Sequence, residues 1–429
     1  MTGTTIAQAI PISISPILTR IYSPEDFGVF AIYISIVTIL SVIVTGAYDL
    51  AIVIPKNDSD ALCIIKLSFI VTFIISFIVL LIIYIFNEQI LFLIGDENLK
   101  IWLYFIPFSI FLSGIYQSIN YWLNRHKYYK SIAINRVIQS GTAGSVQLTM
   151  GFIGLVSSGL VLGKILGQLI STILLGRIYL KEKKKVSSHK KKLRLIALAK
   201  RYKKFPLYES RSNLLNTSST EVPVILISSL FNTSIAGFYA LSSRMLLLPM
   251  TLIGTSIGQV FFQEASKLKS NHEALKSLTF SIYKKLIIIG VIPISLIIVY
   301  GDIIFMFIFG SEWKIAGEFS QILGIWIILV FISSPLSKLL VIMEKQKESL
   351  NFNILIFLSR VLSIAIGYVF FDDAYDTILL FGLTGAIFWL FWCKYILGLV
   401  GIKFSVVLFE LLKYLVPSLS IFIFLRIML

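Results

Sequence analysis

The chain has 429 residues, 57% of them hydrophobic and 14% charged. A polar group inside an apolar stretch is costly in a bilayer and has to meet water or a partner, so such groups are where chemistry is to be sought. The densest cluster lies in the seventh apolar stretch, where all but two of the residues from Ser210 to Glu221 are polar or charged. Ser210, Asn213, Thr217 and Thr220 recur at helical spacing on one stripe, with Arg211 and Glu221 beside it. Pro223 is expected to break the hydrogen-bond ladder just beyond, freeing backbone groups for water or a ligand. The first stretch is similar, with Thr2, Thr4, Thr5, Gln8, Ser13 and Ser15 around Pro11 and Pro16. Two polar, proline-kinked helices at equivalent places suit the walls of a cleft. The other reading, that these hydroxyls bond back to their own helix or join helices together, stays open.

Cations inside apolar stretches are Arg136, Lys164, Arg211, Arg244, Lys338 and Arg360. Arg360 lies about 15 Å into its stretch at 1.5 Å per residue, close to a bilayer midplane, where it needs a partner or water. Lys164 and Lys338 sit near stretch ends and can snorkel to the interface. Asp49 and Glu221 are the candidate counter-charges, and either can instead carry a coupling proton or cation. Fixed cations in a low-dielectric cleft suit an anionic ligand, and the planar fork of arginine suits carboxylate or phosphate oxygens. The three histidines (His126, His189, His272) fall in loops with no metal-site spacing, and Cys63 and Cys393 lie at helix ends. No catalytic residue, metal ligand, cofactor or disulfide is therefore expected.

These residues are positioned by transmembrane helices. Mean hydropathy of +0.89 and so little charge mark an all-α polytopic membrane protein. Spans are expected near 3–19, 29–54, 67–86, 101–123, 132–155 and 159–180, then 206–230, 236–262, 283–309, 318–343, 350–371 and 377–400. A further apolar stretch at 405–427 reads as a thirteenth span or an interfacial segment. Between the sixth and seventh spans, residues 181–204 hold twelve Lys or Arg and a single acid, Glu182. The chain thus divides into an N-terminal lobe (1–180), a basic linker (181–204), a C-terminal lobe (205–400) and an additional segment (401–429). Charge sorts onto alternate loops. One set carries Arg20, Lys100 and Lys314 with acids such as Glu25, Asp96, Glu312 and Asp373; the other carries almost all the remaining Lys and Arg. Basic loops stay cytoplasmic, which places the N-terminus and linker inside and excludes a nucleic-acid reading of the net charge of +16. Acidic loops of at most about fifteen residues leave no room for an outer enzymatic domain. A weak internal repeat relates Gly28-Val-Phe-Ala31 to Gly237-Phe-Tyr-Ala240 and Gly95-Asp-Glu97 to Gly310-Ser-Glu312.

Several segments resemble the polysaccharide-transporter family, the Wzx-type flippases of lipid-linked oligosaccharides. They are Pro16-Ile-Leu-Thr-Arg20 with Tyr22-Ser-Pro-Glu-Asp-Phe-Gly28, Asp49 to Lys56, Tyr121-Trp-Leu-Asn-Arg125, Gly163-Lys-Ile-Leu-Gly-Gln168 and Arg201-Tyr-Lys-Lys-Phe-Pro206. The longest runs from Ala236-Gly-Phe-Tyr-Ala-Leu through Arg244 and Leu248-Pro249 to Gly258-Gln-Val-Phe-Phe-Gln263. The last 130 or so residues resemble the family in hydropathy rather than in motif, and the missing basic leader suggests a shortened N-terminus. The resemblance implies a multidrug-exporter (MATE)-like fold of two six-helix lobes around a central cleft. It implies a flippase carrying undecaprenyl-pyrophosphate-linked repeat units of O-antigen, lipopolysaccharide, capsule or exopolysaccharide type across a bacterial inner membrane. The implied partners are that lipid-linked substrate, the bilayer, and a polysaccharide polymerase with its chain-length machinery.

Two rivals remain. A multidrug or cation exporter of the same fold favours acids and aromatics in its cleft, whereas this sequence offers more cations than acids. A membrane-embedded polysaccharide-modifying enzyme needs a long outward loop or an intramembrane histidine.

Overall fold

The computed structural model describes the backbone of residues 2–184 and 192–428, with the side chains of 2–4, 156, 157, 192, 193, 251 and 252 outside that description. Thr2, Thr4, Ser188 and His189 therefore lie outside the described side chains. Every element among the described residues is helical. The chain divides into two compact units, Met1–Gly237 and Phe238–Leu429.

The first unit opens with α1 (Thr2–Ile21) and α2 (Pro24–Ile43). The start of α2 is written locally: Ser23 and Asp26 form a reciprocal capping box and Pro24 occupies the first turn, where its missing N–H costs nothing. The sequence predicts one continuous span over 29–54, but the helix breaks at 44–47 and resumes as the short α3 (Tyr48–Ala51). Gly46 and Ala47 both take left-handed backbone angles, with φ of 59° and 56°. Such a conformation costs a non-glycine residue about 1–2 kcal/mol. Part of that is offset where the Ala47 N–H donates to Thr45 Oγ1 at 3.2 Å. Helix α4 (Asp58–Ile94) follows, then α5 (Lys100–Leu103) and α6 (Ile106–Arg125), which with the preceding 3-10 turn form a span bent by 46°. Helices α7 (Tyr129–Phe152) and α8 (Val156–Lys183) follow.

The described part of the linker forms a short amphipathic helix, α9 (Lys192–Arg201). Leu198 and Tyr202 enter a cluster with Tyr48, Ile64, Ile65, Trp122 and Leu175, and Arg194 Nε donates to Asp60 at 2.6 Å. That carboxylate holds the Arg194 guanidinium above its ordinary pKa. A π-helical turn at Phe205–Glu209 leads into α10 (Ser210–Leu230). Pro223 does not break α10, contrary to the expectation. Only one N–H is lost, and the packing of α10 along α2 holds the helix together. Through that packing the seventh span belongs to the first unit.

Helix α11 (Thr233–Leu246) starts in the first unit and continues into the second. A second π-helical turn at Met250–Gly254 follows Pro249 and leads to α12 (Thr255–Lys267). The second unit is completed by α13 (His272–Phe309), α14 (Lys314–Leu336), α15 (Lys338–Ile342), α16 (Gln346–Phe371), α17 (Ala374–Gly398) and α18 (Phe404–Met428). Its core gathers Phe261, Tyr283, Phe331, Leu336, Trp392 and Ile396, and the Tyr283 hydroxyl donates to the Val407 carbonyl at 2.8 Å. Among the described residues eight helices are long and apolar enough to cross a membrane, or nine counting the bent pair. The expected spans that fall short are α1, α7, α10 and the interrupted α11–α12. Polarity or a break excludes each, and these are the helices with the most to gain from a wet cavity.

Candidate functional site

Within the first unit a cavity of about 440 Å³ opens between α2, the break after it, α3, α6, α8 and α10. This lies in the range of about 300–1,000 Å³ typical of small-molecule sites. Each wall contributes polar residues one helical turn apart: Thr38 and Ser41 from α2, Ser113, Gln117 and Tyr121 from α6, Lys164 and Gln168 from α8, and Asn213, Asn216 and Thr217 from α10. The break carries Asp49 into the same wall. Its carboxylate is 5% exposed and accepts from Thr45 Oγ1 at 2.6 Å. Gln117 Nε2 donates to the Ser41 carbonyl at 3.4 Å, tying α6 to α2, and Gln139 Nε2 donates to Gln168 Oε1, tying α8 to α7 behind it.

The chemistry of this lining is specific. One carboxylate and one ammonium stand among primary amides and hydroxyls, groups that both donate and accept hydrogen bonds. Such a surface can satisfy a polyhydroxylated ligand, with the Lys164 ammonium suited to an anionic group and the Tyr121 ring to an apolar face.

Of the residues that the sequence singles out, the structure gathers Asp49, Lys164, Asn213 and Thr217 at this cavity. Thr220, on the same stripe, donates its hydroxyl back to the Thr217 carbonyl at 2.8 Å. Glu221 meets α2 instead, accepting from Ser35 Oγ at 2.8 Å. Arg211 is exposed on α10 and makes no ion pair or hydrogen bond among the described residues. Arg136 lies half-buried on α7. In the second unit Arg244 is exposed on α11, and Lys338 is exposed on α15. Arg360 is 8% exposed on α16, with its guanidinium 5.1 Å over the Trp326 ring.

Gln117, Tyr121, Gln168 and Asn216 are not candidates from the sequence, and Lys164, expected to snorkel at a stretch end, lines the cavity with them. The signal was present as pairs four residues apart (117 and 121, 164 and 168, 213 and 217), a pattern that places each pair on one helix face. Sequence alone does not say which faces meet.

At the opposite end of the first unit Gly28 and Gly237, equivalent positions of the internal repeat, come together. A Cβ on Gly28 would stand 1.9 Å from the Thr233 carbonyl oxygen, and one on Gly237 would stand 2.1 Å from that of Pro24. The contact is fastened by Thr233 Oγ1 donating to Asp96 at 2.5 Å and by Asn98 Nδ2 donating to Glu25 at 2.9 Å.

The fold is similar to that of solved flippases and exporters. A lipid II flippase, MurJ, in an inward closed conformation matches with a TM-score of 0.77 at 14% identity, covering all of this chain and 92% of that one. An inward-facing multidrug resistance MATE transporter of the MOP superfamily matches with 0.70 at 12%, covering 92% and 98%. A MOP superfamily transporter from Pyrococcus furiosus matches with 0.59 at 12%, covering 94% of each. The chain is thus an all-α polytopic protein of MurJ- and MATE-like fold. No curated protein matches it in sequence. Residues 17–318 match the family model described as polysaccharide biosynthesis protein, most of the chain's length, and the chain belongs to that family.

Proposed function

We propose that the protein is a flippase for undecaprenyl-pyrophosphate-linked oligosaccharide repeat units, moving them from the cytoplasmic to the outer leaflet by alternating access. The observation that carries the reading is the cavity of the first unit: amides and hydroxyls from α2, α6, α8 and α10 suit sugar hydroxyls, and Lys164 suits the diphosphate. Membership of a polysaccharide biosynthesis family and a flippase-like fold support it. In this reading residues 1–180 and 205–400 are the two moving lobes, the linker is cytoplasmic, and Asp49 or Glu221 carries a coupling ion. Arg136, Arg211, Arg244 and Arg360 guide the diphosphate together with Asn213, Thr217 and Thr220. The products are O-antigen-type or capsular chains, extended by a polymerase outside.

Deletion of the gene tests the reading directly. Lipid-linked repeats should accumulate intact on the cytoplasmic leaflet, and Lys164→Gln should reproduce the block with normal protein abundance. If deletion instead stops synthesis of the first repeat, the protein is a biosynthetic enzyme and the proposal fails. Ser188→Cys tests the orientation separately: it should resist membrane-impermeant thiol reagents in intact cells.

A further inference from the structure

A second cavity, of about 400 Å³, lies wholly in the second unit, between the start of α13 and the turn joining α17 to α18. Its lining combines Lys276 of α13, Lys403 of the turn and the Ser277 hydroxyl with the apolar Phe280, Ile402 and Val406. Neither Lys276 nor Lys403 has an ion-pair or hydrogen-bond partner among the described residues, and Lys403 is exposed. Further cations back them. Lys284 stands 4.5 Å over the Phe280 ring while pairing with Glu410 at 3.1 Å, and Lys394 stands 5.3 Å over the Phe404 ring. Glu273 is the one acid in the lining, so the lining charge is positive on balance.

Two ammonium groups that have no partner among the described residues, sharing one cavity with Phe280, Ile402 and Val406, match an amphiphile better than a free ion. A soluble anion has no use for Phe280, Ile402 and Val406, and a neutral lipid has no use for the lysines. Basic pockets between helices at a cytoplasmic face are where anionic lipid headgroups dock. We infer that this cavity binds the phosphate-bearing headgroup of an anionic lipid, the lysines meeting the phosphate and the apolar wall meeting the upper acyl chain. The leaflet assignment, the inner one, rests on the orientation proposed above; the binding itself does not.

The test uses the full-length protein in detergent. Retained lipid is counted by native mass spectrometry after incubation with phosphatidylglycerol, phosphatidylcholine or inorganic phosphate. Each lysine is worth about fivefold in affinity for an anionic surface (about 1 kcal/mol), so K276Q/K403Q should bind phosphatidylglycerol about 25-fold more weakly. The K314Q variant, at the other end of the unit, should bind as the parent does. If the double variant does not fold, K403Q alone carries the test, since Lys403 lies exposed in a turn. Equal retention of phosphatidylglycerol by parent and double variant would overturn the site. Equal retention of phosphatidylcholine, or competition by inorganic phosphate as effective as by lipid, would overturn the lipid assignment. Failure of the Ser188→Cys experiment would reverse the leaflet and leave these binding results as they are.

Discussion

The meeting of Gly28 and Gly237 makes a prediction whose sign can be worked from distances. Alanine at Gly237 would bring its methyl within 2.1 Å of the Pro24 carbonyl oxygen and 3.0 Å of the Gly28 nitrogen. Both are backbone atoms, which no rotamer change can move aside. Reaching the 3.4 Å of ordinary contact requires α2 and the first turn of α11 to separate by about 1.3 Å. Overpacking of this kind costs about 1–3 kcal/mol. Against it stands a gain of about 0.5–1 kcal/mol, because alanine is the better helix former. The clash wins. Gly141 and Gly176 provide the control, since nothing lies within 4 Å of a Cβ built on either and only the propensity gain applies. In a background lacking Cys63 and Cys393, G237A should lower the melting temperature and increase labelling of Asn216→Cys by an impermeant thiol reagent from outside. A shift of 1–3 kcal/mol changes a two-state population by about 5- to 150-fold. G141A and G176A should leave labelling unchanged and melt no lower than the parent. Parental melting and labelling for G237A would refute the argument that this close approach constrains the protein.

The remaining predictions concern charge. Arg211→Gln and Arg360→Gln should abolish transport with protein level near normal, and lysine at either site should retain part of it, keeping the charge but losing the fork. Loss of transport and of membrane abundance together, restored by neutralising an acid, would instead mean a structural ion pair worth about 3–5 kcal/mol. The last helix is clasped to α13 by Arg426, which meets Asp302 at 2.8 and 3.1 Å and also donates to the Val299 carbonyl. Gln321 bonds the same carboxylate at 2.8 Å, and the Arg426 side chain is 39% exposed. R426Q should therefore cost about 1–2 kcal/mol, less than a fully buried pair, and expose α18 to limited proteolysis. Finally, the hydrogen bond from Lys269 at 2.8 Å holds the Glu344 carboxyl below its ordinary value. A lowered carboxylate contributes stability above its unfolded pKa of about 4.3 and loses it as pH falls through the folded value. The parent should lose its small advantage over E344Q in thermal melts as pH drops below 4.

The helical class, the thirteen stretches and the acidic and basic sorting of loops are legible in the sequence because each depends on residues close together in the chain. Ser23, Pro24 and Asp26 start α2 through bonds within one turn, and apolar runs of twenty residues leave the backbone no choice but helix in lipid. Local rules failed where two segments compete for one conformation. Pro223 stays helical because α2 lies alongside, whereas the second span breaks at Gly46 and Ala47, where Thr45 caps the turn. The cavity, too, was visible only as separate stripes. Asn213 and Thr217 stood out because the stretch from Ser210 to Glu221 is polar, and Asp49 and Lys164 because each is a charge within an apolar run; Gln117 did not stand out, and no local pattern joined it to the others. Which helix faces which is set by packing across more than a hundred residues of chain, as with Gly28 against Thr233 or Ser35 against Glu221. Hydropathy assigns each helix to the membrane, but a site exists only where several polar faces bury one another's cost, and that is a property of the assembled fold.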